Sequence, residues 1–330
     1  MNPLVSVITP CYNGSGKIQL YLDSLLKQTY DNMEIILIND GSTDNTEEII
    51  LSYKDKFINK GYKFIYLKQK NGGQDVALNN GLKFFNGEYL IWPDADDILL
   101  EQNIEKKVKF LEEHRDYGLV YCNADIVDSK NINKVIQKWN RENSNIKEIN
   151  FKDILIGKNI LFAPGAWMAR SKYFLDVRPN REIEISGQGQ NWQMLLPLAY
   201  KYPIGKIDEY LFKYIVYNNS HSHQKRNYEE ALKYIEGKNK GLTLILNNIK
   251  MSANDFREYM EIIKKFIYLE KLNCSILYNN KDDFNRVYLI LKNELSFKLK
   301  IKCKLYKYNL WGITKKCVNL LKNIFSRCFL

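Results

Sequence analysis

Residues Gly87 to Leu99 read GEYLIWPDADDIL. An apolar run (Tyr89, Leu90, Ile91, Trp92) ends in three carboxylates, Asp94, Asp96 and Asp97. Clustered carboxylates repel one another, and burying them uncompensated is costly. A hard divalent cation removes that conflict, because Mg²⁺ or Mn²⁺ prefers one or two carboxylates together with phosphate oxygens. The competing reading is that these aspartates cap the next helix, and it applies best to Asp97. A further acid, Asp40, closes the run IILIND. In an open α/β sheet, ligands sit outside the carboxyl ends of the strands, and both acidic features fall there if their apolar runs are strands.

The surrounding sequence supplies such strands. LVSVITP, EIILIND, KFIYL, EYLIW and GLVYCNADIV are short β-rich apolar runs. Between them KIQLYLDSLLKQ carries Ile18, Leu22 and Leu25 at helical spacing, and GSTDNTEEII opens another helix. There Ser42, Thr43 or Thr46 can cap, while Glu47 and Glu48 suit the first turn. Further helical segments fall near 75–85 and 101–113. This alternation predicts a doubly wound, mostly parallel α/β sheet over residues 1–125. Beyond it the pattern weakens. GQNWQMLLPLAYKY predicts a helix kinked or ended near Pro197, EYLFKYIVY a strand, and 225–295 a set of helices.

The chain has 330 residues and a formal net charge of +11. No acidic residue follows Glu294, whereas nine basic residues do, so residues 1–294 carry only about +2. Basic character thus belongs to the tail. No apolar run approaches the roughly 20 residues that span a bilayer, and the N-terminus reads as strand and turn instead of a leader. The six cysteines are scattered without a CxxC pair, which argues against a disulfide framework or zinc site and for a reducing cytoplasm.

VSVITPCYNG, IILINDGSTDNT, NGGQDVALNNGL and GEYLIWPDADDIL, in that order and spacing, resemble the family 2 glycosyltransferases of the GT-A fold. The resemblance is strong over about residues 4–125, fair to about 217 and absent beyond. It implies a GT-A domain over 1–220, with a nucleotide-binding half (1–125) and an acceptor-side half (126–220). A helical region, 221–330, would follow and end in the basic stretch 295–330. It implies that Asp40 contacts the nucleotide base, usually uracil, in a pocket lined by Pro10, Tyr12 and Asn13. It also implies that Asp94 and Asp96 hold Mn²⁺ or Mg²⁺ on the donor's diphosphate. Asp96 is then a direct ligand, and Asp94 binds directly, through water, or by holding the ribose.

The chain departs from that family in two places. Leu78 stands where an arginine is usual, and Asp75 just upstream is a candidate contact to base or ribose. Gln190 and Asn191 stand where an acidic pair is common; amides can orient an acceptor or diphosphate but cannot act as a base near neutral pH. Trp192 beside them can stack on a sugar ring. The nearest acids are Glu182 and Glu184, each a candidate base or a plain surface acid. His114 reads as a C-terminal helix residue. His221 and His223 follow the late strand, and His223 is a candidate to complete the metal shell, against the reading of a polar loop.

The tail places Leu310, Ile313, Cys317, Leu321, Ile324 and Cys328 on one helical face, with Lys315, Lys316, Lys322 and Arg327 mostly opposite. It fits an anionic membrane surface, a partner helix or the protein's own core. No nucleic-acid module is present to use its charge. The leading expectation is an inverting glycosyltransferase that moves a hexosyl or hexosaminyl group from a UDP-sugar to a glycan or lipid-linked acceptor. It would work in the cytoplasm, peripheral to the inner face of the plasma membrane, in bacterial surface polysaccharide assembly. The alternatives are a nucleotide-sugar-binding protein without transfer activity, and a sugar nucleotidyltransferase. The latter needs a denser Gly-rich basic loop than PCYNGSGKIQ.

Overall fold

The computed structural model describes residues 2–140, 149–157, 160–217 and 226–308. His221, His223 and the helical stripe beyond 309 lie outside the described residues. The strands are β1 (Val5–Cys11), β2 (Met33–Asn39), β3 (Lys63–Lys68), β4 (Tyr89–Ile91), β5 (Ile98–Leu99), β6 (Leu119–Asp128), β7 (Asn131–Trp139), β8 (Trp167–Arg170) and β9 (Ile204–Val216). Among them run α1 (Ile18–Leu26), α2 (Thr46–Ser52), α3 (Lys54–Asn59), α4 (Gln74–Leu82), α5 (Asn103–Glu113), α6 (Phe151–Leu155), α7 (Ser171–Val177) and α8 (Asn191–Lys201). The remaining helices are α9 (Tyr228–Asn247), α10 (Ala253–Leu277), α11 (Lys281–Leu291) and α12 (Phe297–Lys307).

The strands form one mixed sheet in the order β3-β2-β1-β4-β8-β6-β9-β5, with β7 paired to β6. β1, β2, β3 and β4 pair in parallel. Every residue of β1 and β2 is buried, as strands covered on both faces must be, which is why they read as unbroken apolar runs. β3 is the edge strand, and an exposed lysine at each end blunts it. The chain runs β1, β2, β3 to one side and then returns to place β4 on the other side of β1. That reversal leaves a crevice at the carboxyl ends of β1 and β4. The ladder between them stops at Val7 with Ile91, so Pro10 lies beyond it and its missing N–H costs no bond on that side.

Beyond β4 the pairing is mixed. β4–β8, β6–β8, β6–β7 and β5–β9 are antiparallel, whereas β6–β9 is parallel. The hairpin of β6 with the solvent-facing β7 has polar, Lys- and Asn-rich strand residues that lack a core signature. Pro197 does not end α8; the helix runs through it to Lys201, because its flanks Leu195, Leu196 and Leu198 are buried. Packing there offsets the lost backbone bond. At α2 the first residue is Thr46, and Asp44, outside the helix, accepts from both its N–H and its hydroxyl.

The chain divides into two compact units. One comprises the described residues up to 217 with 240–259, the other those in 226–239 and 260–308. The second unit has its own core of Leu272, Ile276, Phe284, Val287, Leu291, Leu295, Cys303 and Tyr306. In α11 the buried Phe284, Val287 and Leu291 recur at helical spacing, and Asn280 caps it by accepting from the Asp283 N–H.

Candidate functional site

Asp40 leaves the carboxyl end of β2, and its N–H donates to the Cys11 carbonyl of β1 (2.9 Å). The next residue, Gly41, has φ +73°, and a Cβ there would stand 2.6 Å from the Asn71 nitrogen. Only glycine lets the 69–73 loop close over Asp40. That loop supplies three donors to its carboxylate: Gln69 Nε2 at 2.8 Å and the Gly72 and Gly73 N–H groups at 2.9 Å. Asn13, with φ +48°, braces the opposite loop by accepting from the Thr43 N–H (2.8 Å) and donating its N–H to Ser42 Oγ (3.0 Å). Pro10 is buried within β1, whereas the Tyr12 ring is 51% exposed beside this turn.

The loop between β4 and β5 carries the acidic cluster. Its three members stand in different surroundings. Asp97 is buried; its Oδ1 accepts from the Ile215 N–H of β9 (2.9 Å), and its Oδ2 has no partner. Burial first, then Asp96 and Asp94, push its pKa well above the usual carboxylate range. It ties the loop to β9 and caps no helix: α5 begins at Asn103, preceded by Gln102. Asp94 Oδ1 accepts from Gln74 Nε2 (2.7 Å) and Gln190 Nε2 (3.3 Å). Burial and the Asp96 charge raise its pKa to about 7. Asp96 is about one third exposed; its Oδ2 lies 3.2 Å from Lys17 Nζ, which also sits 4.2 Å above the Tyr217 ring.

Among the described residues, no three His, Cys, Asp or Glu side chains converge as a metal cage. The donor set instead suits a cation that brings oxygens with its ligand, as Mg²⁺ and Mn²⁺ do on a diphosphate. The unpartnered buried oxygens Asp97 Oδ2 and Gln190 Oε1 mark the locality as one built for a further positive or donor group.

A strap from Arg178 to Gln193 approaches this cluster, and α4 holds it. Asp75 and Asn79, one turn apart, grip it in succession. Asp75 Oδ2 accepts from the Ser186 and Gly187 N–H groups (2.8 and 2.9 Å). Asn79 exchanges two bonds with the backbone of Ile183 (2.8 and 2.9 Å). Asp75, a candidate for base or ribose, is thus placed on the strap. Gln193 fastens the strap's end through Ser186 Oγ (2.8 Å) and the Gly189 carbonyl, which sets buried Gln190 on Asp94. Glu184 is paired twice with Arg178 (2.7 and 2.8 Å), both side chains under 10% exposed. Burial nevertheless raises its pKa. Glu182 is exposed and lines a cleft of about 570 Å³ with Gln69, Asn80, Lys83 and Asn248. Asn191 donates to the Phe162 carbonyl (2.8 Å), and Trp192 donates to the Ile154 carbonyl (2.9 Å) while its ring packs on Phe162.

Gln74, Asn79, Lys17 and Tyr217 were not singled out by type and spacing. Gln74 had a signal, since it opens the helix that follows the Gly72-Gly73 turn. Tyr217 had none, because its partners lie far away in sequence.

The model of glycosyl transferase family 2 matches residues 6–178. An uncharacterised glycosyltransferase of Rickettsia typhi is 43% identical over 131 residues, 39% of each chain, so this chain spans about two fifths of that relative's length. Glycosyltransferase GlyG of Streptococcus pneumoniae is 40% identical over 132 residues, 39% of this chain and 42% of its own. Among solved structures, TarS of S. aureus in complex with UDP-GlcNAc superposes with a TM-score of 0.63 at 18% identity, covering 93% of this chain and 88% of that one. The mannosyltransferase PcManGT of Pyrobaculum calidifontis, in complex with GDP-Man and Mn²⁺, gives 0.57 at 14% identity, covering 99% and 88%. The mixed sheet with its acidic loop at the switch crevice is the GT-A fold, and the chain belongs to glycosyl transferase family 2.

Proposed function

We propose that the protein is an inverting, metal-dependent glycosyltransferase that takes a hexosyl or hexosaminyl group from a UDP-sugar. The acceptor is a hydroxyl of a glycan or lipid-linked oligosaccharide. The observation that carries this reading is the placement of Asp40 and the Asp94–Asp97 loop at the carboxyl ends of β2 and β4, the two strands that flank β1. Asp40 Oδ2, with one donor already on it, retains a lone pair for a base imide N–H, and exposed Tyr12 offers a ring for stacking. Asp96 and Asp94 would hold Mn²⁺ or Mg²⁺. When bound, the cation neutralises charge on the departing diphosphate. PcManGT was solved with Mn²⁺, and TarS with UDP-GlcNAc.

Inversion is one in-line displacement and needs an acceptor base. Of the two candidates, Glu182 is accessible, whereas Glu184 is held by Arg178. Gln190 and Trp192 would orient the substrates from the strap. A binding protein without transfer is the second reading, supported by the amides at Gln190 and Asn191. A peripheral membrane position draws support from α12. Its exposed Phe297 and Ile301 share one face with Tyr308 just past its end, with Lys300, Lys304 and Lys307 alongside, and no helix among the described residues is long and apolar enough to cross a bilayer. Calorimetry with UDP and GDP, each with Mn²⁺, tests the donor assignment. UDP is expected to bind at least about tenfold more tightly, and Asp40→Ala to erase that preference. Equal affinity for both nucleotides would overturn it.

A further inference from the structure

The acidic loop concentrates three carboxylates, and the described structure answers them with one nearby ammonium, that of Lys17. Its position is built. The Lys17 N–H and the Ile18 N–H both donate to the Gly14 carbonyl (2.9 Å each), fixing the turn that enters α1. The side chain then reaches Asp96 Oδ2 at 3.2 Å while its Nζ lies over the Tyr217 ring. The ring face and the carboxylate both favour a cation at that point. Lys17 and Asp96 are each about one third exposed, so the pair is open to exchange and is not locked into the core.

We propose that Lys17 is a resident counter-cation of this site: it competes with the divalent metal for Asp96 and supplies positive charge to the donor's diphosphate. The inference rests on the nucleotide-sugar reading of the site and adds a residue to it. Asp96 cannot give the same oxygen fully to an ammonium and to a metal ion. A metal that takes Oδ2 therefore displaces Lys17, and one that takes Oδ1 still meets the repulsion of the ammonium beside it. A diphosphate arriving alone meets that ammonium as the nearby cation among the described residues. Two consequences of opposite sign follow from a single side chain.

Lys17→Met is the test, with Mn²⁺ alone and UDP alone as the probes. Mn²⁺ binding, followed by electron paramagnetic resonance without nucleotide, is expected to tighten about twofold to fivefold, the scale of an exposed ion pair. UDP binding measured by calorimetry in EDTA is expected to weaken by a similar factor. Lys17→Arg keeps the charge and should restore both affinities to wild-type values. General damage to the fold would weaken both ligands together, and that result, like unchanged Mn²⁺ affinity, overturns the proposal. Mn²⁺ binding that is undetectable in wild type and variant alike also overturns it. The two readings fail separately. Opposite shifts with equal affinity for UDP and GDP would leave Lys17 in place and remove the UDP-sugar reading. A UDP preference without those shifts would do the reverse.

Discussion

The carboxylates of this protein divide by what surrounds them. Asp40, Asp94 and Asp96 could be read in the sequence because each ends an apolar run, and a strand end in an open sheet is a place for ligands. Asp75 and Glu184 could not be placed that way. Their partners are fixed by folding: Asp75 meets Ser186, 111 positions away, and Glu184 is enclosed with Arg178. Removing one member of a buried pair leaves the other charge uncompensated, which costs about 3–5 kcal/mol. Glu184→Ala should therefore lower stability by about 3 kcal/mol or more in a denaturant titration. A stable Glu184→Ala protein that had lost only turnover would point instead to a chemical role. For Glu182 the expectation is reversed. Glu182→Gln should leave stability within about 0.5 kcal/mol, as for exposed sites, and reduce transfer by about 10²-fold or more if it removes the acceptor proton. Undiminished transfer would release it from that role.

At the level of elements, the parallel half was legible because strands buried on both faces are written as continuous apolar runs. The mixed remainder, where β6–β9 is parallel and β6–β7, β6–β8 and β5–β9 are antiparallel, was not. β7 is solvent-facing and polar, and α8 carries a proline that packing overrides. Buried polar groups were equally hidden. Lys107 on α5 is fully buried, its Nζ donating to Asn103 Oδ1 (2.8 Å) and the Gly165 carbonyl (2.7 Å). Burial lowers its pKa to about 8, below the ~10.4 of an unfolded chain. Between those values the unfolded chain holds a proton that the native protein has released, so stability rises with pH across that window. The gain, up to roughly 3 kcal/mol, should be seen in urea midpoints from pH 8 to 10 and vanish in Lys107→Met. A wild-type stability that falls over that range would contradict this account of α5.

Across the whole molecule, the uneven charge was visible in the sequence: acids stop at Glu294 while lysines continue. What the sequence could not show is that α12 turns Cys303 and Tyr306 into the second unit's core and leaves Phe297 81% exposed. That face should bind anionic vesicles and release them in salt. Phe297→Ser with Ile301→Ser should weaken vesicle binding at least about tenfold while acceptor-free donor hydrolysis is retained. Equal binding to neutral vesicles would contradict an electrostatic attachment. If Asp96 holds a metal on a sugar-nucleotide donor, nucleotide release must depend on both the carboxylate and the cation. Wild-type protein and Asp96→Ala would be incubated with a panel of UDP-sugars, with Mn²⁺ and then with EDTA. The predicted result is slow UDP release from one donor by the wild type with Mn²⁺, lost in EDTA and reduced about 10²-fold or more in the variant. Release that persists in EDTA, or at full rate in Asp96→Ala, would contradict it.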